Sequence, residues 1–396
     1  MKTTCSIVLI GIAGYGEKYL EALQDQGRLS WVKGVVDIRP EQSSYFKTIM
    51  EKDIPVYSSL EDFYRAETAD LAIISTPIHL HAQQAVIAME NGSHVLCEKP
   101  MAGSLEEAEQ MRQVRDRTKR FLAVGFNWSF SRSVQKLKKD VQEGLFGQPI
   151  CARTLVLWPR GEAYYQRSSW AGKLRGPNGE PIFDSIANNA ASHFLHHLFY
   201  VLGEKEEQSA KIQSLNVELY CANSIETFDT CAVMARTEAD VELLYLASHA
   251  INQESGPEFE LEFEKAIIRY SNGGNIKAAW EDGKEKSYGD PEFEHMHKLE
   301  VCIQAVLDGS RNIPCGIEAS FSHLIAIKSI HEAVPEVPAF PLEYVKKSIE
   351  PKITYVPGLS ETLRKCYKEK KMPSEIDPPW AQPGKNINIS ADTYPY

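Results

Sequence analysis

Two glycines separated by one residue, Gly14 and Gly16, follow an apolar run typical of a buried strand and precede a segment with helical spacing. Glycines at such a strand-to-helix turn permit the close approach of a pyrophosphate, and the N–H groups that open the helix attract its charge. Asp37 comes 21 residues after Gly16, at the end of the next strand, where a carboxylate can bind ribose hydroxyls. These residues predict a dinucleotide site, and Asp37 favours NAD because it would repel a 2′-phosphate.

Two residues leave alternatives open at this site. Tyr19 occupies the third position of G-x-G-x-x-G, where Gly or Ala would let helix and strand pack closely. Arg39 follows Asp37 by two residues and would neutralise its charge, so NADP is also possible as the cofactor. If Asp37 is a surface aspartate in an ordinary turn, the ribose contact is absent.

The stretch HVLCEKPMAG places Glu98 and Lys99 directly after three strand-like residues. A charge pair at the end of an apolar strand costs free energy unless it is partnered or used. One interpretation is a strand that ends at the surface, with Pro100 marking its end, and the other is a functional turn. Thr76 and Pro77 end a neighbouring strand at the carboxyl edge of the predicted sheet, where open parallel sheets bind ligands.

Asn189, His193 and His197 recur at a spacing of four residues, which places them on one face of a helix. Histidines four apart are also typical of zinc sites, but no HExxH motif and no nearby carboxylate or cysteine at ligand spacing accompanies them. We therefore expect no metal. The alternative for His193 is a hydrogen-bonded core residue, and for His196 and His197 that interpretation is favoured.

The segments that must position these residues differ between the two halves of the chain. Strand-like and helix-like segments alternate over the first 125 residues, which is typical of a parallel sheet with crossover helices. Between residues 210 and 290 several strands show the alternation of an antiparallel sheet. We predict an α/β protein with an N-terminal Rossmann NAD(P)-binding domain over 1–125 and a C-terminal α+β domain with a large open, mainly antiparallel sheet over 126–345.

The last predicted part, residues 346–396, is punctuated by prolines and reads as an extension that packs on the body or on a neighbouring subunit. We expect one face of the open sheet to carry the substrate pocket. The other face, left uncovered, would need a partner, which predicts a homodimer or homotetramer.

Composition limits the partners and the compartment. A length of 396 residues favours two domains, and the net charge of −11 with scattered basic residues argues against nucleic acid or an anionic membrane as the main partner. The eight cysteines are widely spaced, and no signal peptide or membrane-spanning run is evident. We expect a cytoplasmic protein with reduced thiols.

Taken together, the glycine turn, Asp37, the run STPIHLHAQQAVIAMENGSHVLCEKPMA, the segment EGLFGQPI and the histidine helix resemble the glucose–fructose oxidoreductase/inositol dehydrogenase (Gfo/Idh/MocA) family. The resemblance is dense over 5–150 and 181–203, and it is limited to the order of elements over 205–345. It implies that Lys99 lies between the nicotinamide and the reacting carbon, with Pro100, often cis in the family, fixing the turn. It also implies that His193 is an acid/base.

The resemblance and the residue patterns together assign the site. We expect the cofactor to be held by Gly14, Tyr15, Gly16, Asp37, Ile38, Ser75, Thr76, Pro77, His81, Glu98 and Lys99. The family commonly carries an acid four residues before the histidine, whereas this chain has Asn189, which can bind hydroxyls but cannot take a proton. The aromatic and basic residues between Arg160 and Pro181 suit a polyhydroxylated ring, including one that bears a carboxylate or phosphate, and they could equally pack a subunit contact. The predicted substrate residues are Asn189, His193, Tyr165, Arg167 and Trp170, with His249 and Asn252 as weaker candidates.

The reaction that the resemblance implies is hydride transfer between NAD(P) and a secondary alcohol or ketone of a sugar, inositol or related polyhydroxylated substrate. Lys99 would give or take the proton and His193 would assist. Two alternatives stay open. One is a dinucleotide-binding regulator without chemistry, which Tyr19 and Asn189 would favour, and the other is a redox-neutral NAD-dependent glycoside hydrolase of the same family.

Overall fold

The computed structural model describes residues 3–396, and the chain divides into two compact units. The first unit runs to Ser131 and also includes Glu294–Ser320, and the second comprises Arg132–Phe293 and Phe321–Tyr396. The domain bounds expected from the sequence stay a prediction.

The N-terminal part of the first unit contains a six-stranded sheet in which every neighbouring pair is parallel, in the order β3-β2-β1-β4-β5-β6. Its strands are β1 (Ile7–Ile10), β2 (Val32–Val36), β3 (Val56–Tyr57), β4 (Leu71–Ile74), β5 (His94–Cys97) and β6 (Leu122–Val124). The helices between them are α1 (Gly16–Asp25), α2 (Phe46–Glu51), α3 (Leu60–Ala66), α4 (Ile78–Glu90) and α5 (Leu105–Thr118). The order reverses at β1, so a crevice for a ligand opens at the carboxyl ends of β1 and β4.

The second unit contains a nine-stranded sheet whose neighbours are antiparallel except for the parallel pair β7–β10. Its elements up to residue 289 are α6 (Arg132–Gln142), β7 (Pro149–Leu157), α7 (Glu162–Tyr165), α8 (Ser192–Val201), β8 (Ile212–Tyr220), β9 (Thr230–Thr237), β10 (Glu242–Ser248), β11 (Ser255–Phe263), β12 (Ala266–Ser271), β13 (Ile276–Trp280) and β14 (Glu285–Gly289). The predicted fold class, a parallel Rossmann sheet followed by a large and mainly antiparallel sheet, is confirmed.

The remaining elements are α9 (His297–Asp308), α10 (Ile317–Ala333), β15 (Lys346–Lys347), β16 (Thr354–Tyr355), α11 (Leu359–Glu369), α12 (Pro373–Ile376) and β17 (Lys385–Asn388). Helix α9 belongs to the first unit, although some 170 residues separate it from β6. Strand β17 pairs antiparallel with β8 and ends the large sheet at that edge. Within residues 3–396, no helix has the length and apolar character that a membrane crossing requires.

The segment after β16 covers one face of the large sheet. Helix α8 lies on the opposite face, where the Tyr245 hydroxyl of β10 donates a hydrogen bond to the Ala191 carbonyl (3.2 Å). On the covered face, Leu155 and Leu246 share a buried core with Leu363 of α11. The expectation of an uncovered face is therefore wrong over β7–β10, because the chain supplies its own cover there. The homo-oligomer inferred from that face stays a prediction.

Candidate functional site

The glycine turn before α1 leaves room for a ligand. Gly14 has a φ of +59°, and a Cβ added to it would meet no atom within 4 Å, so its outer surface is open. A Cβ on Gly16 would lie 2.1 Å from the Gly11 carbonyl oxygen, so only glycine fits where α1 begins. The Asp37 carboxylate accepts hydrogen bonds from the backbone N–H of Ile12 (2.9 Å) and Arg39 (2.8 Å). Asp37 thus joins the end of β2 to the turn, and the backbone fits a pyrophosphate at the start of α1.

The loop after β4 is tied to the loop after β5 by His81. Its two ring nitrogens lie 2.8 Å from the Thr76 carbonyl oxygen and 2.9 Å from the Pro100 carbonyl oxygen. The side chain is 1% exposed, and burial lowers its pKa. The Thr76 hydroxyl donates to Gln84 (2.5 Å), which fixes the start of α4. His81 therefore holds the two strand-end loops together, and its predicted contact with the cofactor stays a prediction.

A buried ion pair explains the charge after β5. Glu98 is 7% exposed, and its carboxylate accepts hydrogen bonds from the Lys298 ammonium (2.5 Å) and the Tyr19 hydroxyl (2.6 Å). Burial alone would raise the pKa of Glu98, but the Lys298 charge and the hydrogen bonds from Lys298 and Tyr19 together outweigh burial and hold the pKa below its usual range. Glu98 is therefore a buried carboxylate with a built-in counter-charge, and the surface-strand interpretation is wrong for it.

The same contacts explain why Tyr19 replaces the third glycine. The Tyr19 ring is fully buried and its hydroxyl reaches from α1 to Glu98, so the helix packs on the sheet through a hydrogen bond. Lys99 follows Glu98, its backbone N–H lies 3.3 Å from the Glu98 carboxylate, and its bond to Pro100 is cis. The side chain of Lys99 is half-buried. The turn that carries Lys99 is thus held by residues of α1 and α9.

Lys298 and His295 were missed by the sequence analysis. The Lys298 ammonium also lies 3.2 Å from the Tyr15 hydroxyl, which in turn lies 2.8 Å from Nε2 of His295. The side-chain amide nitrogen of Asn127 lies 3.0 Å from Nδ1 and 3.1 Å from Nε2 of the His295 ring. In the sequence, Lys298 is only a basic residue in a helical segment. No local pattern indicates that it pairs with Glu98, 200 positions earlier.

In the second unit, Asp184 joins several of the predicted substrate residues. Its carboxylate accepts hydrogen bonds from Arg167 (3.0 Å) and from the side-chain amide of Asn189 (2.6 Å). The Arg167 guanidinium lies 3.9 Å from the Tyr164 ring centroid and 5.0 Å from that of Trp170. Asp184, five residues before Asn189, is a further residue that the sequence analysis did not identify.

His193 is the second residue of α8 and is half-buried. His196 and His197, by contrast, are 1% and 2% exposed, and burial lowers the pKa of His197 to about 3. The His197 ring packs 4.7 Å from the Phe259 ring, as expected for a core residue. Within residues 3–396, no group of three or more His, Cys, Asp or Glu side chains is placed to hold a metal ion.

The ends of β7 and β10 form the rest of the predicted pocket. Trp158 packs edge-on against Phe194 of α8 with ring centroids 5.4 Å apart. The His249 ring lies 5.5 Å from that of Tyr164, and its Nδ1 lies 2.6 Å from the Trp158 carbonyl oxygen. A cleft too narrow to hold a water molecule is lined by Tyr164, Tyr165, Asp184, Ser185, Ile186, Ile225, Phe228 and His249. Tyr165 and His249 therefore face the same space.

Comparison with known proteins matches residues 5–126 to the oxidoreductase family with an NAD-binding Rossmann fold. Levoglucosan dehydrogenase of Pseudarthrobacter phenanthrenivorans is 31% identical over 137 residues, which are 33% of this chain and 32% of that protein. The NADP⁺-linked scyllo-inositol 2-dehydrogenase of Bacillus subtilis is 23% identical over 341 residues, 85% of this chain and 88% of the relative. The alignment with levoglucosan dehydrogenase thus spans about a third of that relative's length.

Among solved structures, the WlbA dehydrogenase of Chromobacterium violaceum, in complex with NADH and UDP-GlcNAcA, superposes with a TM-score of 0.70 at 19% identity. The match covers 85% of this chain and 95% of that chain. At this level of identity the likeness is one of fold, and it extends to the second unit.

Proposed function

Since this chain belongs to the Gfo/Idh/MocA family of oxidoreductases and carries its NAD-binding Rossmann fold, we propose that it is an NAD(P)-dependent dehydrogenase. The proposed reaction is reversible oxidation of a secondary alcohol on a sugar, inositol or related polyhydroxylated compound. The observation that carries the proposal is the turn after β5, where the Glu98–Lys298 pair holds Lys99 at the carboxyl edge of the parallel sheet.

The role proposed for Lys99 follows from the chemistry of the reaction. The nicotinamide, when bound, accepts or gives the hydride. Oxidation of a C–OH group also requires loss of the hydroxyl proton, and reduction requires a donor for the developing oxyanion. A lysine amine placed at that oxygen accepts the proton during oxidation, and its ammonium form donates the proton during reduction. Lys99 is thus the proposed acid/base.

His193, the second residue of α8, is proposed as a second acid/base of the reaction. Asn189 cannot take a proton, and its side-chain amide donates to Asp184, so it is proposed to orient substrate hydroxyls through its carbonyl oxygen. Tyr165 and Trp170 are proposed to contact the substrate ring. Arg167, whose charge is paired with Asp184, is also proposed to contact the substrate.

The cofactor contacts are proposed to be Gly14, Tyr15, Gly16, Asp37, Ile38, Ser75, Thr76, Pro77, His81, Glu98 and Lys99. The open surface at Gly14 and the 78% exposure of Ile38 support this assignment, since both leave area for a ligand to cover. Asp37 favours NAD over NADP by charge.

The setting is part of the proposal. Eight cysteines outside any disulfide support a reducing compartment such as the cytoplasm. We propose self-association as a homodimer or homotetramer through surfaces other than the covered sheet face, and no nucleic-acid or membrane partner, in keeping with the net charge of −11.

A screen of sugars, inositols and amino sugars with NAD⁺ and NADP⁺ tests the function. Appearance of the reduced-nicotinamide absorbance with one substrate is the expected result, and Lys99→Ala should lower kcat about 10²- to 10⁴-fold while cofactor binding persists. Disappearance of a glycoside without net reduction would favour the redox-neutral hydrolase. Tight cofactor binding with no turnover on any compound would favour the regulator.

A further inference from the structure

The Lys298 ammonium is fixed in its charged form by three acceptors. It is 0% exposed, and it donates hydrogen bonds to the Glu98 carboxylate (2.5 Å), the Gly125 carbonyl oxygen (3.2 Å) and the Tyr15 hydroxyl (3.2 Å). A lysine ammonium has three N–H donors and no acceptor, so these contacts use all of its donors. Lys298 therefore brings a full positive charge to the end of β5 and has no donor left for a substrate or cofactor.

The Glu98 carboxylate is confined beside that charge. Its Oε1 atom also accepts a hydrogen bond from the Tyr19 hydroxyl (2.6 Å), and its Oε2 atom lies 3.3 Å from the Lys99 backbone nitrogen. Gly125 packs against the carboxylate so closely that a Cβ added to this glycine would lie 2.9 Å from the carboxylate atoms. The contacts on both oxygens and the close approach of Gly125 thus keep Glu98 next to Lys298.

The charge of Glu98 bears directly on Lys99, the next residue in the chain. The charges of these two residues interact, and the Lys99 charge helps to keep Glu98 ionised. A carboxylate without a counter-charge raises the pKa of a neighbouring lysine by about 1–3 pH units. A lysine with a raised pKa stays protonated near pH 7 and is a poorer base for alcohol oxidation. Lys298 opposes this effect on Lys99, because its positive charge lies against the same carboxylate.

Other titratable groups around the Glu98–Lys298 pair do not take over this balance. Burial lowers the pKa of His81, and burial raises the pKa of the Cys97 thiol and of the Tyr19 hydroxyl. Lys298 is therefore the counter-charge of Glu98 near pH 7. Besides Lys99, the titratable groups that face the pair are the phenols of Tyr15 and Tyr19, the thiols of Cys97, Cys302 and Cys315, and the His81 ring.

We propose that Lys298 is a positioning residue of the reaction, which balances the charge of Glu98 and so keeps the Lys99 amine available as a base. The inference rests on the dehydrogenase proposed above and deepens it, because it names how the acid/base of that reaction is regulated. Lys298 acts through Glu98, since its three donors are already used. Its effect is therefore electrostatic, and it is seen in the titration of Lys99.

NMR titration of the lysine amines tests the inference without requiring turnover. Reductive ¹³C-methylation labels the accessible lysines of the NAD⁺-bound protein, and Lys99→Arg identifies the Lys99 signal by its loss. Lys298→Met should raise the pKa of Lys99 by about one pH unit or more, because it leaves the Glu98 carboxylate without a counter-charge. The double variant Lys298→Met/Glu98→Gln carries neither charge and should return the pKa of Lys99 to its wild-type value.

Arg115→Met is the matched control. Arg115, in the last turn of α5, pairs with Glu318 (2.7 Å), so its loss also breaks an ion pair of the first unit between distant parts of the sequence. It should leave the pKa of Lys99 unchanged. If Lys298→Met does not fold, as judged by circular dichroism, Glu98→Gln decides, because it leaves the Lys298 charge unbalanced. A lower pKa of Lys99 in Glu98→Gln supports the inference, and an unchanged or higher pKa contradicts it.

The outcomes separate this inference from the dehydrogenase proposal. Where a sugar or inositol is oxidised, the lower pH limit of kcat/KM should move upward in Lys298→Met together with the pKa of Lys99, which a loss of stability alone would not cause. A pKa of Lys99 that is unchanged in Lys298→Met overturns the inference, even if hydride transfer is observed. A pKa that rises as expected, in a protein that turns over none of the compounds, supports the inference and contradicts the dehydrogenase.

Discussion

At the scale of single residues, the charge balance around Glu98 is the most consequential feature of the first unit. The Lys298 ammonium contacts the Glu98 carboxylate, the Gly125 carbonyl oxygen and the Tyr15 hydroxyl, and it lies 4.7 Å from the Tyr15 ring centroid. Both charges are buried, so the ammonium and the carboxylate each stabilise the other's charged form. The residue before the proposed acid/base is therefore held by an ion pair that neither partner can leave without cost.

Lys298→Met should destabilise the first unit by about 3–5 kcal/mol, because it leaves the Glu98 carboxylate buried without a counter-charge. Urea unfolding followed by intrinsic fluorescence measures the change. The double variant Lys298→Met/Glu98→Gln removes both charges and should recover much of the loss. A single variant as stable as the wild type would show that Glu98 does not need the ammonium.

His331 makes a second residue-scale prediction, on pH. It is 9% exposed, lies between the rings of Phe183 (4.6 Å) and Phe228 (5.3 Å), and burial lowers its pKa to about 4. Between pH 4 and its ordinary value near 6.5, the unfolded state binds the proton that the folded state does not. Stability therefore falls as pH falls through this window.

For His331 alone the loss from pH 7 to pH 5 should be about 2 kcal/mol. His331→Phe cannot take up the proton, so its unfolding free energy should depend less on pH by that amount. Denaturant titrations of both proteins at pH 7 and pH 5 measure the difference. Parallel pH profiles for the variant and the wild type would refute the assignment.

At the scale of elements, the strand ends decide which groups meet. The end of β2 brings Asp37 to the glycine turn, and the end of β5 brings Lys99 to the same edge of the parallel sheet. In the second unit, the carboxyl ends of the parallel strands β7 and β10 bring Arg160 and His249 to one edge of the large sheet. Parallel pairing is the common cause, because it places carboxyl ends at one edge.

Asp37→Asn should shift cofactor preference towards NADP, because it removes the charge that repels a 2′-phosphate and keeps an acceptor for the Ile12 N–H. The ratio of NADP⁺ to NAD⁺ affinity should rise about tenfold or more. Dissociation constants of both cofactors, measured by fluorescence, give the ratio. Arg39→Gln is the control and should lower the ratio of NADP⁺ to NAD⁺ affinity. An unchanged ratio in Asp37→Asn would show that Asp37 does not select against the 2′-phosphate.

At the scale of the whole chain, the C-terminal segment after β16 packs on one face of the large sheet and forms a buried core with it. Besides the apolar contacts of Leu363, basic residues of α11 and its C-cap meet glutamates of β11. Arg364 pairs with Glu258 (2.9 Å), and the C-cap residue Lys370 pairs with Glu262. The apolar residues and the charged residues of α11 thus both match those of the sheet face on which it packs. Over β7–β10, the face that would otherwise need a second chain is covered by this one.

Leu363→Ala should lower the free energy of unfolding by about 2–5 kcal/mol, because it leaves a cavity between α11 and the sheet. Lys365→Ala, an exposed position of the same helix, should change it by less than about 0.5 kcal/mol. Urea unfolding of the two variants measures both values. Equal stability of the two would mean that α11 does not seal this core.

The sequence by itself determined the features that depend on neighbours along the chain. The glycine turn, the strand that ends at Asp37 and the strand that ends at Glu98 are all encoded within short windows, because apolar periodicity and turn chemistry are local properties. The alternation of strands and helices was enough to predict the parallel sheet.

Only the tertiary structure decided which distant residues meet. It paired Glu98 with Lys298 across 200 positions, seated Asp184 between Arg167 and Asn189, and laid the segment after β16 over the large sheet. A basic residue in a helix or an aspartate in a loop has the same local pattern whether or not it has a partner. Burial and folding topology, which no short window contains, determine where such charges are neutralised.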